Sequence, residues 1–174
     1  GSSISLSVNA IPLRGPDRRI VGATGTASDI TLRREVEHEL KSQREFLRQV
    51  VDLAPILILV KDHQCRFTLV NQAFAAQYGL TPEEIIGKLD TDIHPIKAEA
   101  TEFFEETKRV IETLEPLEVL ERALTDPRTG EPRWHYTIRK PLILPDGRPP
   151  QVLTVATDIT PRRKAEDEAL RLEK

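Results

Sequence analysis

The side chains able to carry chemistry are few: one cysteine, Cys65, and four histidines, His38, His63, His94 and His135. A thiol can add covalently to a bound cofactor ring when a helix aims it there, but Cys65 falls in the polar turn between two short apolar runs. A histidine can ligate haem iron when it is aimed from a helix into a pocket. The long helical stretch from Ile96 to Leu114 holds no histidine. His94, just ahead of it and next to Pro95, is the one candidate, and it reads instead as a polar loop residue near a helix start. His63 sits in a turn, and His135 alternates with Trp134 and Tyr136, which places it on the opposite face of its strand from those aromatics. None of these groups has metal-ligand spacing with an acidic or thiol partner. No Ser-His-Asp or Cys-His pair, Gly-rich phosphate loop or paired-carboxylate arrangement can be assembled. The chain is therefore read as a non-enzyme without a metal site.

Length and charge bound the frame that positions these groups. The 174 residues, 39% hydrophobic and 30% charged, allow one well-cored domain with appendages and not two full domains. A net charge of −3 with interspersed signs gives no basic stripe, so neither nucleic acid nor a membrane surface is expected as a direct partner. No apolar run approaches the roughly 20 residues that span a bilayer. A single cysteine excludes a disulfide framework and fits a reducing, cytoplasmic compartment. The opening Gly1-Ser2-Ser3 reads as an expression scar ahead of an internal fragment.

The strongest organisational signal is internal. Residues 4–40 align without a gap with residues 133–169, 129 positions later, and 13 of the 37 pairs are identical, with A-S-D-I-T-L-R-R-E set against A-T-D-I-T-P-R-R-K. Matches this dense across strand, turn and helix signals indicate a duplicated structural unit. In the first copy, Ile4–Leu13 and Ile20–Ser28 read as strands around a Gly15-Pro16-Asp17 turn. Thr31 reads as the N-cap of a helix whose Val36, Leu40, Leu47 and Val50 lie close to a heptad seam and which ends before Pro55. In the second copy, Ala165, Ala169 and Leu172 continue the register of Val36, Leu40 and Gln43.

Between the copies the pattern gives strands at Ile56–Val60 and Phe67–Val70, then a helix from Gln72 stopped by Gly79. Thr81-Pro82-Glu83-Glu84 carries an N-cap, a proline at the first helical position and a capping box. Asp90–Pro95 reads as a polar loop, and Ile96–Leu114 as an amphipathic helix. Three strands follow, Leu117–Leu124, Trp134–Leu144 and Gln151–Asp158, and Pro161 opens a final helix.

This order of elements resembles the PAS family with its trailing PAC segment. The residues that carry the likeness are Leu53-Ala54-Pro55, F-T-L-V-N-Q-A-F at 67–74, Y-G-L-T-P-E-E-I-I-G-K at 78–88, Asp92, the Trp134 strand, P-D-G at 145–147 and D-I-T at 158–160. The resemblance implies an α+β fold with a five-stranded antiparallel sheet in the order 2-1-5-4-3 and helices on one face. It divides the chain into a C-terminal hairpin of a preceding PAS domain (1–30), a linker helix (31–53), a PAS domain (54–160) and a C-terminal linker helix (161–174). The space between sheet and helices is the expected pocket, with Phe74, Tyr78, Ile93, Phe103, Val110, Trp134, Tyr136, Ile138, Val155 and Thr157 as its expected lining. Most of these serve simply as core in a small domain, and a ligand held among them is expected to be apolar or mixed. No covalent cofactor is expected: Q-C-R-F at 64–67 is similar to part of the flavin-photosensor signature, but its thiol is on the wrong element. A non-covalent flavin stays open, and haem is disfavoured by the histidine placement. H-E-L-K-S-Q at 38–43 resembles the phosphoacceptor box of histidine kinases, but Gln43 stands where that box has proline, so His38 is read as a solvated coiled-coil residue.

The resemblance implies a sensory or signal-relay module that acts on an output domain of the parent chain, of the histidine kinase or diguanylate cyclase type. The flanking helices, in one heptad register, are expected to form a parallel homodimer, with Asp158, Ile159 and Thr160 passing changes in the sheet to the outgoing helix. The alternatives are a ligand-free dimerisation spacer and a haem- or flavin-dependent redox or gas sensor. The first hairpin, without its sheet, is expected to be disordered or to borrow a surface, most simply from a dimer partner.

Overall fold

The computed structural model describes residues 3–172 and divides into two units, residues 1–49 and 50–174. Gly1, Ser2, Glu173 and Lys174, at the two ends of the expected scar and linker helix, lie outside the described residues.

In the first unit, β1 (Leu6–Arg14) and β2 (Ile20–Asp29) form an antiparallel hairpin that leads into α1 (Thr31–Leu53). The hairpin is regular; among the described residues its strands have no further strand beside them, and Leu6, Val8, Ile11, Leu13, Ile20 and Val21 are exposed. Ion pairs Arg33–Glu37 and Lys41–Glu45 at i,i+4 spacing support α1, and Val36, Leu40, Leu47 and Val50 form an exposed apolar stripe along it. Thr31, expected as the N-cap, is the first helical residue. Asp29 does the capping, its Oδ1 accepting the Thr31 N–H at 2.9 Å.

The second unit continues with β3 (Leu57–Lys61), β4 (Phe67–Val70), α2 (Gln72–Tyr78), α3 (Pro82–Ile85), α4 (Asp90–Ile93), α5 (Lys97–Thr113), β5 (Leu117–Thr125), β6 (Pro132–Leu142), β7 (Gln151–Asp158) and α6 (Thr160–Leu172). The five strands pair antiparallel in the order β4-β3-β7-β6-β5, which is the 2-1-5-4-3 order the family resemblance implied.

Local chemistry explains the short helices. At α3 the Thr81 side chain accepts the Glu84 N–H while the Glu84 carboxylate accepts the Thr81 N–H, closing the capping box, and Gly79 ends α2 in the left-handed region at φ 66°. Within the 90–95 segment expected as a polar loop, residues 90–93 are helical and His94-Pro95 connects them to α5. Asp92 Oδ2 accepts the Leu89 N–H at 2.8 Å and turns Asp90–Ile93 into helix. Asn71 is fully buried and ties three segments together. Its Oδ1 accepts the N–H groups of Phe74 and Ile58, both at 3.1 Å, while its Nδ2 donates to the carbonyls of Val51 and Ile56 at 3.1 and 2.8 Å.

The core is Leu59, Phe67, Val70, Phe74, Ala75 and Ile85, with Leu57, Tyr78, Leu80 and Ile93 packed against it. Phe67 and Phe74 meet with ring centroids 5.6 Å apart. Among the described residues no helix is long and apolar enough to cross a membrane.

The duplication holds in three dimensions. Strands β1 and β2 pair from Leu6↔Asp29 to Leu13↔Gly22, and β6 and β7 pair from His135↔Asp158 to Leu142↔Gln151. Each of those pairs sits 129 residues from its counterpart, so the two hairpins share one register.

Candidate functional site

A cavity of about 60 Å³ lies between the sheet and α2, α4 and α5. Its apolar wall comes from Leu57, Leu59, Phe74, Phe103, Leu124 and Ala156. Three groups of side chains supply the polar wall.

The first is an ion pair. Lys61, only 2% exposed, donates to both Asp90 oxygens at 2.6 Å and stands 4.7 Å from the Phe67 ring centroid. Burial pushes the Lys61 ammonium down from the ordinary lysine range, and Asp90 opposes that shift.

The second is a chain from Tyr78 to Thr125. His94 Nδ1 meets the Tyr78 hydroxyl at 3.0 Å, and its Nε2 meets Glu99 Oε2 at 2.8 Å. Because a carboxylate only accepts, Nε2 carries the proton and Nδ1 accepts from Tyr78. Glu99 also takes the N–H and hydroxyl of Thr125. Burial works to raise the Glu99 carboxyl, but the bonds from Thr125 and His94 outweigh it and hold it below the usual carboxylate range. Burial also raises the Tyr78 phenol well above its ordinary value. His94 is thus a loop residue just ahead of α5, as expected, but it is buried against the cavity and both of its ring nitrogens are engaged.

The third group is an arginine pair on one carboxylate. Arg122 of β5 donates to Glu106 Oε1 and Oε2 at 2.6 and 3.0 Å, and Arg139 Nη1 of β6 lies 2.8 Å from the same Oε2. Arg139 is only 4% exposed, and burial lowers its affinity for the proton despite Glu106.

Of the ten residues expected to line the pocket, Phe74, Tyr78 and Phe103 do so. Ile93 packs against the neighbouring core, and Val110 is fully buried on α5 without reaching the cavity. The expected faces of β6 and β7 are corrected. Trp134, Tyr136, Ile138, Val155 and Thr157 lie on the outer face of the sheet, while His135, Thr137, Arg139, Thr154 and Ala156 line the cavity. Strand alternation makes this an all-or-none inversion. The polar set goes inside because α5 supplies Glu106 to receive Arg139. The repeat carried a signal for this arrangement: the positions matching His135, Thr137 and Arg139 are Leu6, Val8 and Ala10, and those matching Trp134, Tyr136 and Ile138 are Ser5, Ser7 and Asn9.

Cys65 sits between β3 and β4 at φ 62°, buried, with its Sγ 3.9 Å from the Phe104 carbonyl oxygen. It does not line the cavity. His63 and His38 are exposed.

The outer face leads instead to the strand–helix junction. There the Trp134 N–H donates to Thr160 Oγ1 at 2.8 Å, the Ile159 N–H to the Trp134 carbonyl at 2.8 Å, and the Thr160 N–H to Asp158 Oδ1 at 2.8 Å. Arg133 bridges Asp158 and Asp126 at 3.0 and 2.7 Å, and Arg163 of α6 stacks on the Trp134 ring at 3.8 Å while reaching Glu121 at 2.8 Å. Desolvation would raise the Asp158 carboxyl, but Thr160 and Arg133 hold it below the ordinary range. A groove of about 560 Å³ runs beside this junction and includes Asp158 and Arg133; it shares Leu57, Gln77, His135 and Ala156 with the cavity. Cavity, groove and junction are therefore contiguous.

The PAS fold family matches residues 51–164 of the chain. The virulence sensor protein BvgS of Bordetella pertussis is 36% identical over 59 residues, which cover 34% of this chain and 5% of that protein. The uncharacterized protein y4lL of Sinorhizobium fredii is 30% identical over 168 residues, covering 92% of this chain and 19% of that one. The chain thus spans a small part of the curated relatives it matches. Among solved structures, the PAS domain of Bordetella pertussis BvgS superposes with a TM-score of 0.59 at 27% identity, covering 76% of this chain and 97% of that domain. The VqmA dimer of Vibrio cholerae, a LuxR-type receptor studied for its DNA binding, gives 0.58 at 26% identity, covering 64% of this chain and 51% of that one. A VqmA bound to DPO gives the same score and identity, covering 64% of this chain and 55% of that one. With its sheet order, its helix-covered cavity and a family match across most of its length, this chain belongs to the PAS fold family and carries a PAS sensory domain.

Proposed function

We propose that this domain converts occupancy of its cavity into a change at the Asp158-Ile159-Thr160 junction, and that α6 carries the change to an output domain of the histidine kinase or diguanylate cyclase type in a longer parent chain. The observation that carries this reading is that the junction is built twice from the same contacts. Ser5 N–H donates to Thr31 Oγ1 at 2.9 Å, Ile30 N–H to the Ser5 carbonyl at 2.9 Å, and Thr31 N–H to Asp29 Oδ1 at 2.9 Å. The same three bonds recur 129 residues later at Trp134, Ile159, Thr160 and Asp158. A contact set preserved while the residues around it differ is the coupling element of a tandem array, in which residues 1–30 close an upstream PAS domain and α1 links it to the next.

The exposed Val36, Leu40, Leu47 and Val50 stripe supports a homodimer through α1, and packed helical interfaces switch between discrete arrangements. A cavity of about 60 Å³ favours a ligand of a few atoms over haem or flavin, since pockets for larger ligands run to roughly 300–1,000 Å³. The VqmA bound to DPO supports small-molecule occupancy of this fold.

The test is output activity of the full-length parent carrying Asp158→Ala or Thr160→Val. Both variants fold and lose the response to stimulus. An unchanged response in both contradicts the relay.

A further inference from the structure

We propose that the cavity binds a short-chain monocarboxylate of two to four carbons, its carboxylate on the Arg122–Arg139 pair and its aliphatic end against Phe103 and Phe74. This rests on the sensory reading above and names the ligand class for it.

Three observations converge. First, among the described residues the buried side-chain nitrogens and oxygens without a hydrogen-bond partner are Arg122 Nε, His135 Nδ1, Arg139 Nε and Arg139 Nη1, and all four belong to residues lining this one cavity. Arg139 Nη1 is 2.8 Å from Glu106 Oε2, but without the alignment of a hydrogen bond. Burying a donor without an acceptor is costly, and the three arginine atoms are donors only, so the missing group is an acceptor.

Second, two guanidinium groups meet at one carboxylate. Arg122 and Arg139 both lie on Glu106, and the exposed Glu102 is 3.4 Å from Arg122 Nη1. Arginine is the side chain suited to carboxylate oxygens.

Third, the two copies of the hairpin differ on this face. Where the first copy has Leu6, Val8 and Ala10, the cavity wall has His135, Thr137 and Arg139. Replacing an apolar set by a buried polar one destabilises the fold unless the polar groups meet a partner.

Size and lining set the rest. A water needs about 10–15 Å³ of such space, so a cavity of about 60 Å³ holds four to six non-hydrogen atoms, the size range from acetate to butyrate. The aliphatic end fits Phe74, Phe103 and Leu59. The groove that shares Leu57, Gln77, His135 and Ala156 with the cavity gives access from solvent.

The experiment is calorimetric titration of the whole chain with acetate, propionate and butyrate, with propionamide as the neutral isostere and inorganic phosphate as the anion without a tail. Propionate binds with one site per chain, and propionamide binds at least about tenfold more weakly, the change expected on losing a charge-assisted contact. Arg139→Gln weakens propionate by a similar factor, and exposed Arg148→Gln leaves it unchanged. If Arg139→Gln does not fold, Arg122→Gln, on a half-buried side chain, must show the loss. Propionamide binding as tightly as propionate, phosphate binding more tightly than propionate, or no carboxylate binding up to about 10 mM each overturns the proposal. Release of a neutral small molecule from the purified chain in native mass spectrometry, with no carboxylate binding, overturns the ligand class and leaves the relay intact. An unchanged response in the Thr160→Val parent removes the relay without touching the binding result.

Discussion

The backbone N–H of Trp134 donates to Thr160 Oγ1 across 2.8 Å, tying the first turn of α6 to the strand whose other face walls the cavity. Ser5 and Thr31 make the same bond at 2.9 Å in the first copy. The threonine of D-I-T therefore spends its hydroxyl on the preceding hairpin, and capping of the helix falls to the aspartate two residues earlier. A helix attached in this way cannot shift without disturbing strand β6.

Thr160→Val keeps the shape and removes the hydroxyl. The Trp134 N–H loses its acceptor, and the expected loss is about 1–3 kcal/mol, measured by urea unfolding. Thr160→Ser recovers most of it. A valine variant as stable as the parent would show that this bond contributes nothing.

Asn71→Ala removes four hydrogen bonds at once, including the cap of α2. A lost cap costs about 1 kcal/mol, and the stranded Ile58 amide and two carbonyls raise the expected total to about 3 kcal/mol. Asn71→Asp is at least as damaging at neutral pH, because its carboxylate then faces the carbonyls of Val51 and Ile56.

Lys61→Met leaves Asp90 buried without its cation, and the loss is about 3–5 kcal/mol. Lys61→Met combined with Asp90→Leu is more stable than Lys61→Met alone. The strong non-additivity is read from a double-mutant cycle, and additive costs would mean that the pair is not coupled.

Stability rises with pH in two windows. Burial depresses His135 below its ordinary 6.5, so as pH falls below about 6.5 the unfolded chain binds a proton that the folded chain refuses, and stability drops. Glu99, Asp126 and Asp158 are held below the ordinary carboxylate range. Their contribution is complete above about pH 4–5 and is lost as pH falls through the folded values. Thermal unfolding from pH 8 to pH 3 shows both steps, and His135→Asn removes the upper one.

The fold was legible because its signals were local and redundant. Gly79 and the Thr81–Glu84 box marked element ends, and the order of the elements carried the family resemblance that implied the sheet. The site was less legible. Binary patterning sends Trp134, Tyr136 and Ile138 inward, but Glu106 on α5, distant in sequence, accepts Arg139 and reverses the strand. The burial of His94 in its loop was not legible, because Tyr78 and Glu99, which cover it, come from different elements. Asn71 carried no sign of its role beyond its place before a helix. The first copy, with Leu6, Val8 and Ala10 opposite His135, Thr137 and Arg139, held the clue to the inner face.

The central claim, that cavity and junction act together, is tested most directly by amide hydrogen exchange in Ala156→Leu, which fills the wall shared by the cavity and the groove. The account predicts that exchange at the Trp134 and Ile159 amides shifts by at least about fivefold relative to the wild-type chain, while the matching Ser5 and Ile30 amides do not change. Equal exchange at Trp134 and Ile159 in both proteins, or a shift no larger than the change in global stability, contradicts it.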